Sequence, residues 1–337
     1  MQKKNILSAI LCWTGFLHLV RKRSTNPNNL IILAYHRVMP EIDDFQFDNK
    51  LISATPSQFE WQVKYIKSNY NLISFEHLAF LRRSGQPLPE RSIIITFDDG
   101  FDDNYLYAYP ILEKYNAKAT FFISTDYIGS EKIFWFDWVV FLCNKLQEDT
   151  VIKVDPSGDS FYLYMEQDKT EMVQSCLSFL KRISDEDRKK AIKQLESSVK
   201  ITSVESEFSR AMSWEMVKEM HDSELAEIGS HAKSHAILSQ LNDEDLSDEV
   251  NDSRKIIRKQ LSSNCSTLSY PVGGATAYND NVVEAVKKAG YDYAVTYMPG
   301  LNILGETSDY LLKRLHVEKY VKTYRFKAML EFPKYLW

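Results

Sequence analysis

Cysteine is scarce: Cys12, Cys143, Cys176 and Cys265 are the only four in 337 residues, and no two form a C-x-x-C pair. That spacing signals neither a structural zinc knuckle nor a disulfide framework. Each thiol reads as an isolated small hydrophobe, compatible with a reducing compartment. Positive charge is not in excess either. The 41 Lys and Arg are outnumbered by 46 Asp and Glu, a formal net charge of -5. This removes the broad electrostatic reason to expect a nucleic-acid partner. No internal repeat or low-complexity tract is present. The longest apolar run, Ile6 to Val20, is interrupted by Thr14 and His18 and is short for a bilayer-spanning helix.

That run has basic residues on both sides, Lys3 and Lys4 before it and Arg21-Lys22-Arg23 after it. No small-x-small cleavage site follows, and a basic cluster behind the run is atypical of a signal peptide. Ile6, Ile10, Trp13 and Leu17 share one helical face. Residues 1–23 therefore read as a retained amphipathic helix, packing on the domain or lying on a membrane surface. On this reading the protein is membrane-associated or cytoplasmic. Export to the periplasm would require the segment to act as a signal.

The remainder has an ordinary globular composition, 44% hydrophobic and 26% charged, and is long enough for one large α/β domain or two smaller ones. Strand-like runs alternate with helical ones, which argues for α/β architecture. Leu30 to Tyr35, Ser92 to Phe97 and Thr120 to Ile123 lack polar alternation, as strands of a covered parallel sheet do. Thr55-Pro56 is a helix start, with a capping threonine and proline at the first helical position. Residues 130–212 break the pattern. They hold an aromatic helix from Trp135, a tyrosine-rich pair of segments around the turn Asp155–Asp159, and a charge-laced helical stretch from Lys169 to Val199. This block reads as an insertion, and its simplest role is that of a structural annex. Most of the 19 Tyr, 18 Phe and 6 Trp fill core positions, though Trp135, Trp214 and Tyr297 are candidates for stacking on a sugar.

The chemistry gathers in two places. The apolar run Ile93-Ile94-Ile95-Thr96-Phe97 ends abruptly in Asp98-Asp99-Gly100. Two adjacent carboxylates closing a buried strand are unfavourable unless one is solvated or a cation is present. Far downstream, Ser230-His231-Ala232-Lys233-Ser234-His235 sets two imidazoles four residues apart. Two imidazoles and one carboxylate form a common zinc triad that leaves positions for water and substrate. Asp99 is the stronger ligand candidate, with Asp98 poised beside it. Ser230 suits a cap or a supporting donor better than a nucleophile.

In this order, Thr96-Phe97-Asp98-Asp99-Gly100 and Ser230-His231 through His235 resemble the metal-dependent polysaccharide deacetylases, the NodB-homology or carbohydrate esterase family 4 group. Tyr35-His36-Arg37-Val38 resembles the branch containing biofilm poly-N-acetylglucosamine deacetylases. The resemblance implies a distorted, incomplete (β/α)7-type barrel over residues 24–337, interrupted by the insertion. It implies release of acetate from N-acetylated amino sugars of a glycan. Asp98 would be the general base, while Asp99, His231 and His235 would hold one divalent ion, zinc by default with nickel or cobalt as alternatives. His316, in Arg314-Leu315-His316-Val317, is the candidate general acid and His36 its rival. The family's usual arginine-containing segment ending in Pro-Tyr-Gly is replaced by Ser269-Tyr270-Pro271-Val272-Gly273. Tyr270 and Pro271 keep the turn, the Val272 amide is an oxyanion-donor candidate, and Arg314 is expected to hold Asp98 in place of the missing arginine. Two other readings compete: a catalytically silent glycan-binding or scaffold protein, and a deacylase of a peptidoglycan, lipid-linked or small-molecule amide.

Overall fold

The computed structural model describes residues 2–14, 26, 28–146, 151–154, 161–164, 169–201 and 210–333. Its centre is a parallel sheet of β1 (Asn29–Tyr35), β2 (Ser92–Phe97), β3 (Ala119–Ile123), β4 (Ala226–Ser230), β5 (Thr267–Ser269) and β6 (Tyr293–Val295). These neighbours pair in the order β6-β5-β4-β3-β2-β1. A last short strand, β7 (Leu315–His316), pairs in parallel with β1 at Leu33 and Ala34. Just before it, Leu312 bridges to Val295 of β6. Residues 312–316 therefore close the sheet into a ring. The seam is one two-residue strand and one bridge, which is the distortion expected of this barrel.

Side chains alternate across each strand, so the apolar residues sort into two cores. Leu30, Ile32, Ile94, Phe122, Val295 and Leu312 form the barrel interior. Ile31, Leu33, Ile93, Ile95 and Phe121 face outward onto the helical layer. Helix Phe75–Arg83 plugs the amino-terminal end of the barrel with Phe75, Leu78 and Leu81. Ser74 caps that helix by accepting from the His77 amide at 3.1 Å. The predicted start at Thr55 is a full capping box: Thr55 and Gln58 each accept from the other's backbone amide. The stretch from Asn104 opens as a π-turn, Asn104–Ala108, and continues as helix Tyr109–Lys114.

The insertion contains helix Trp135–Lys145, an antiparallel pair formed by Val151–Val154 and Phe161–Tyr164, and helices Lys169–Leu180 and Asp185–Ser197. The expected Asp155–Asp159 turn lies outside the described residues. The single helical stretch expected from Lys169 is interrupted at residues 181–184, where Ser184 accepts from the Asp187 amide and caps the second helix. The block is not a separate annex. Val139, Phe141, Leu177 and Leu180 belong to the same continuous core as Leu33 and Phe97. Arg37, 1% exposed, ties it to the barrel: Nε donates to Asp103 at 2.8 Å and Nη1 lies 3.7 Å from Asp137 of helix Trp135–Lys145.

Helix Gln2–Trp13 lies at the amino terminus, with Leu11 and Cys12 packed against Ala328 of helix Thr323–Glu331. Ile6, Ile10 and Trp13 point away from that contact and are 61%, 53% and 90% exposed. Leu17, the rest of the run to Val20 and the Arg21–Arg23 cluster lie outside the described residues. Among the described residues, no helix is long and apolar enough to cross a membrane.

Candidate metal and catalytic site

The carboxyl ends of β2, β4, β5 and β7 converge on one cavity. The alternation that turns Ile94 inward carries on to Thr96 and Asp98, and from Leu312 to Arg314. Both Asp98 and Arg314 are buried. Their side chains meet as a paired contact, Nη1 to Oδ1 at 2.8 Å and Nη2 to Oδ2 at 2.7 Å. The other Arg314 donors are also engaged: Nη1 with Thr96 Oγ1 at 3.1 Å, Nη2 with Ser269 Oγ at 3.0 Å, and Nε with the Thr296 carbonyl at 2.8 Å. A guanidinium held on every side is a rigid clamp for a planar carboxylate. Burial pushes the Asp98 carboxyl up, but the charge and hydrogen bonds of Arg314 together with the nearby His231 outweigh it and hold the group below the usual carboxylate range.

Asp99 turns the opposite way and faces the two histidines. Its Oδ1 lies 3.3 Å from His231 Nε2 and 3.1 Å from His235 Nε2. The three side chains are buried, and their ligand atoms all fall within 4.8 Å of one another. Neither Asp99 oxygen has a hydrogen bond of acceptable geometry. An orphaned buried carboxylate opposite two imidazole nitrogens is costly alone and fits a divalent cation. Nδ1 of His231 sits 2.7 Å from the Ser269 carbonyl. A carbonyl can only accept, so Nδ1 carries the proton and Nε2 presents its lone pair to the site, as a metal-bound histidine requires.

The backbone is strained where these side chains are aimed. Positive φ values occur at Asp99 (74°), Ala232 (59°), His235 (57°) and Val272 (63°), all in loops of the site. For a β-branched residue such as Val272 this is a true outlier, and such strain persists only where surrounding structure enforces it. At Gly273, φ is +58° and a Cβ would approach the Tyr297 amide nitrogen to 2.6 Å, so no other residue fits that turn. The His231–His235 segment is a loop rather than a helical turn. Glu249, from helix Asp243–Leu261, holds it by accepting from the Lys233 amide at 2.8 Å and the Ser234 amide at 2.9 Å. Nothing in the local sequence marked Glu249, which lies in an ordinary acidic surface helix. Ser230 plays the supporting part expected of it: its Oγ accepts from the Ala232 amide at 3.2 Å and pairs with Ser253 Oγ.

The cavity measures about 280 Å³, and its lining includes Asp98, Asp99, His36, Tyr270, Val272 and Tyr297. Trp135 also reaches it, whereas Trp214 does not. Pro271 shapes the turn behind Tyr270, its carbonyl accepting from the Gly273 amide at 2.7 Å. His316, the first choice for proton donor, does not line the cavity. Its ring stacks on Tyr297 at 3.4 Å between centroids. Burial, then the nearby Arg314 and His36, push its pKa down to about 3. This favours the neutral ring near pH 7. His36 lies on the cavity side, 5.3 Å from the same tyrosine ring. Its backbone is fixed by Asn104, whose Nδ2 donates to the His36 carbonyl at 2.8 Å and to Asp103 at 3.1 Å. Asp103 and Asn104 thus fix residues 36–38, which follow β1, against the segment after the acidic pair.

A family model described as polysaccharide deacetylase matches residues 85–294. The Staphylococcus aureus poly-beta-1,6-N-acetyl-D-glucosamine N-deacetylase is 25% identical over 316 residues, covering 87% of this chain and 85% of that protein. Among solved structures, a Streptococcus pyogenes deacetylase in complex with acetate superposes with a TM-score of 0.60 at 19% identity, covering 92% of this chain and 100% of that one. A polysaccharide deacetylase from Bacillus cereus gives a TM-score of 0.57 at 20% identity, covering 90% of this chain and 69% of that one.

Proposed function

The chain belongs to the polysaccharide deacetylase family, and from that premise we propose that it removes acetyl groups from N-acetylglucosamine residues of a bacterial surface glycan. The observation that carries the reading is the buried Asp99, whose two unsatisfied oxygens face a pair of imidazoles while Asp98 is held apart from them by Arg314. Asp99, His231 and His235 would hold the ion, zinc by the donor set, with nickel and cobalt as alternatives. Bound there, it would polarise the acetamide carbonyl and make a water more acidic. Asp98 takes the proton from that water as its oxygen bonds to the carbonyl carbon. The Val272 amide donates to the oxyanion. The carbon–nitrogen bond then breaks, a proton passes to the leaving amine, and acetate and a free amine remain. The likeness to the Staphylococcus aureus enzyme supports poly-β-1,6-N-acetylglucosamine as the glycan. The exposed stripe of Ile6, Ile10 and Trp13 supports attachment at a membrane surface.

Incubation with β-1,6-linked N-acetylglucosamine oligomers should release acetate, and a chelator should abolish release until zinc is restored. No acetate from a folded, metal-loaded protein across such oligomers would overturn the reading.

The proton donor in this scheme is His36. His36→Ala should lower kcat by about 100-fold, whereas His316→Ala should cost less than about fivefold. Steady-state acetate release by both variants decides between them, and the reverse order would restore His316 to the role.

A further inference from the structure

The insertion lies outside the metal-site motifs, yet it supplies one side of the cavity. Trp135 reaches it from the first insertion helix, and Gln174, Leu177 and Lys181 reach it from the next. Positions 174, 177 and 181 are spaced three and four apart and so share one helical face. The Lys181 amide still donates to the Leu177 carbonyl at 3.0 Å, which extends that face one residue past the end of helix Lys169–Leu180. Across the cavity stand Tyr270, Val272 and Tyr297 from the barrel loops.

This side is anchored at several points. The Lys181 carbonyl accepts from Gln240 Nε2 at 2.7 Å, and Gln240 Oε1 accepts from Arg188 Nη1 at 2.8 Å. Gln240 follows shortly after His235, so the contact joins two insertion helices to the segment that carries the histidines. Phe136 lies edge-on to the His235 ring at 5.0 Å. The Asp137 carboxylate accepts from the Asp48 amide at 3.1 Å, and Asp48 itself lines the cavity. A surface tied down this way is a fixed wall.

Its side chains combine apolar area with hydrogen-bonding groups. Trp135, backed by the buried Leu177, offers apolar area for the C–H face of a pyranose, while Gln174 and Lys181 offer long polar side chains at its edge. Gln174 is half-buried and Lys181 exposed, so both can bond a ligand without first breaking the core. We propose that this wall selects the glycan: the Gln174 amide and the Lys181 ammonium hydrogen-bond oxygen atoms of the sugar that carries the acetamide, or of its neighbour, over Trp135. The proposal rests on the deacetylase reading and assigns glycan recognition to the segment that departs from the family's pattern.

The test is a kinetic and binding comparison of the zinc-loaded full chain with the double variant Gln174→Ala, Lys181→Ala. Two lost hydrogen bonds should raise KM for N-acetylglucosamine oligomers about tenfold, with the loss in KM rather than in kcat. Calorimetric titration of the oligomers should show an equal weakening. Metal content and Tm should match the wild type, because neither side chain belongs to the core or the metal cluster. An unchanged KM overturns the proposal, as does a fall in metal content or Tm that accounts for the loss. A wild-type protein that neither binds nor hydrolyses the oligomers overturns the deacetylase reading itself, and this proposal with it.

Discussion

Asp98→Asn should lower kcat for acetate release by about 10³-fold while leaving bound zinc near one per chain. The substitution keeps the shape of the side chain and one of its two hydrogen bonds from Arg314, but replaces the carboxylate that takes a proton with an amide that does not. It also leaves the cluster of Asp99, His231 and His235 intact. Elemental analysis of the purified variant and an acetate assay separate the two consequences. Turnover at the wild-type rate would remove Asp98 from the role of base. Loss of zinc together with activity would instead make Asp98 a ligand.

Arg314→Ala should be the most damaging single change for stability and activity combined. Arg314 is fully buried and neutralises an equally buried carboxylate through two hydrogen bonds. Removing one partner of such a pair costs roughly 3–5 kcal/mol, because the remaining charge is left without compensation. The Thr96 and Ser269 hydroxyls and the Thr296 carbonyl each lose a hydrogen bond as well. We expect a Tm lower by about 10 °C and kcat reduced by about 100-fold, as Asp98 loses both its orientation and its ionised form. Combining Arg314→Met with Asp98→Asn should recover much of the stability and none of the activity, since the uncompensated charge is gone. Retained activity in the Arg314→Ala variant, with Asp98 undisturbed, would show that the clamp is dispensable.

The candidate metal-site residues were legible because their chemistry conflicts with their setting. A run as apolar as Ile93 to Phe97 has no packing reason to end in two carboxylates, and two histidines four residues apart beside a short strand suggest a shared target. The central strands Leu30 to Tyr35, Ser92 to Phe97 and Thr120 to Ile123 were legible from unbroken apolar runs, and a helix start from its cap, as at Thr55. The surroundings of His316 show what a linear reading does not reach. Its place at the end of a late strand resembled the family's donor position, but Tyr297 packs over its ring and Arg314 lies nearby. Neither effect can be read from Arg314-Leu315-His316-Val317 alone. Glu249 was hidden for a related reason, because its role consists of accepting backbone amides from a loop fifteen residues away.

The family resemblance supplied the expectation that Arg314 stands in for a missing arginine, whereas composition and order in the chain determined the kind of molecule: an α/β core and one carboxylate–histidine cluster. These follow from local hydrophobicity, charge and spacing, which any short stretch of chain carries with it. Closure of the barrel decided the rest. It set residue 314 against residue 98 and turned His36 rather than His316 toward the cavity. The packing of the insertion on that barrel made it a wall of the site instead of an outlying annex. Those are distances between residues far apart in sequence, set by which surfaces bury one another, and no single segment encodes them.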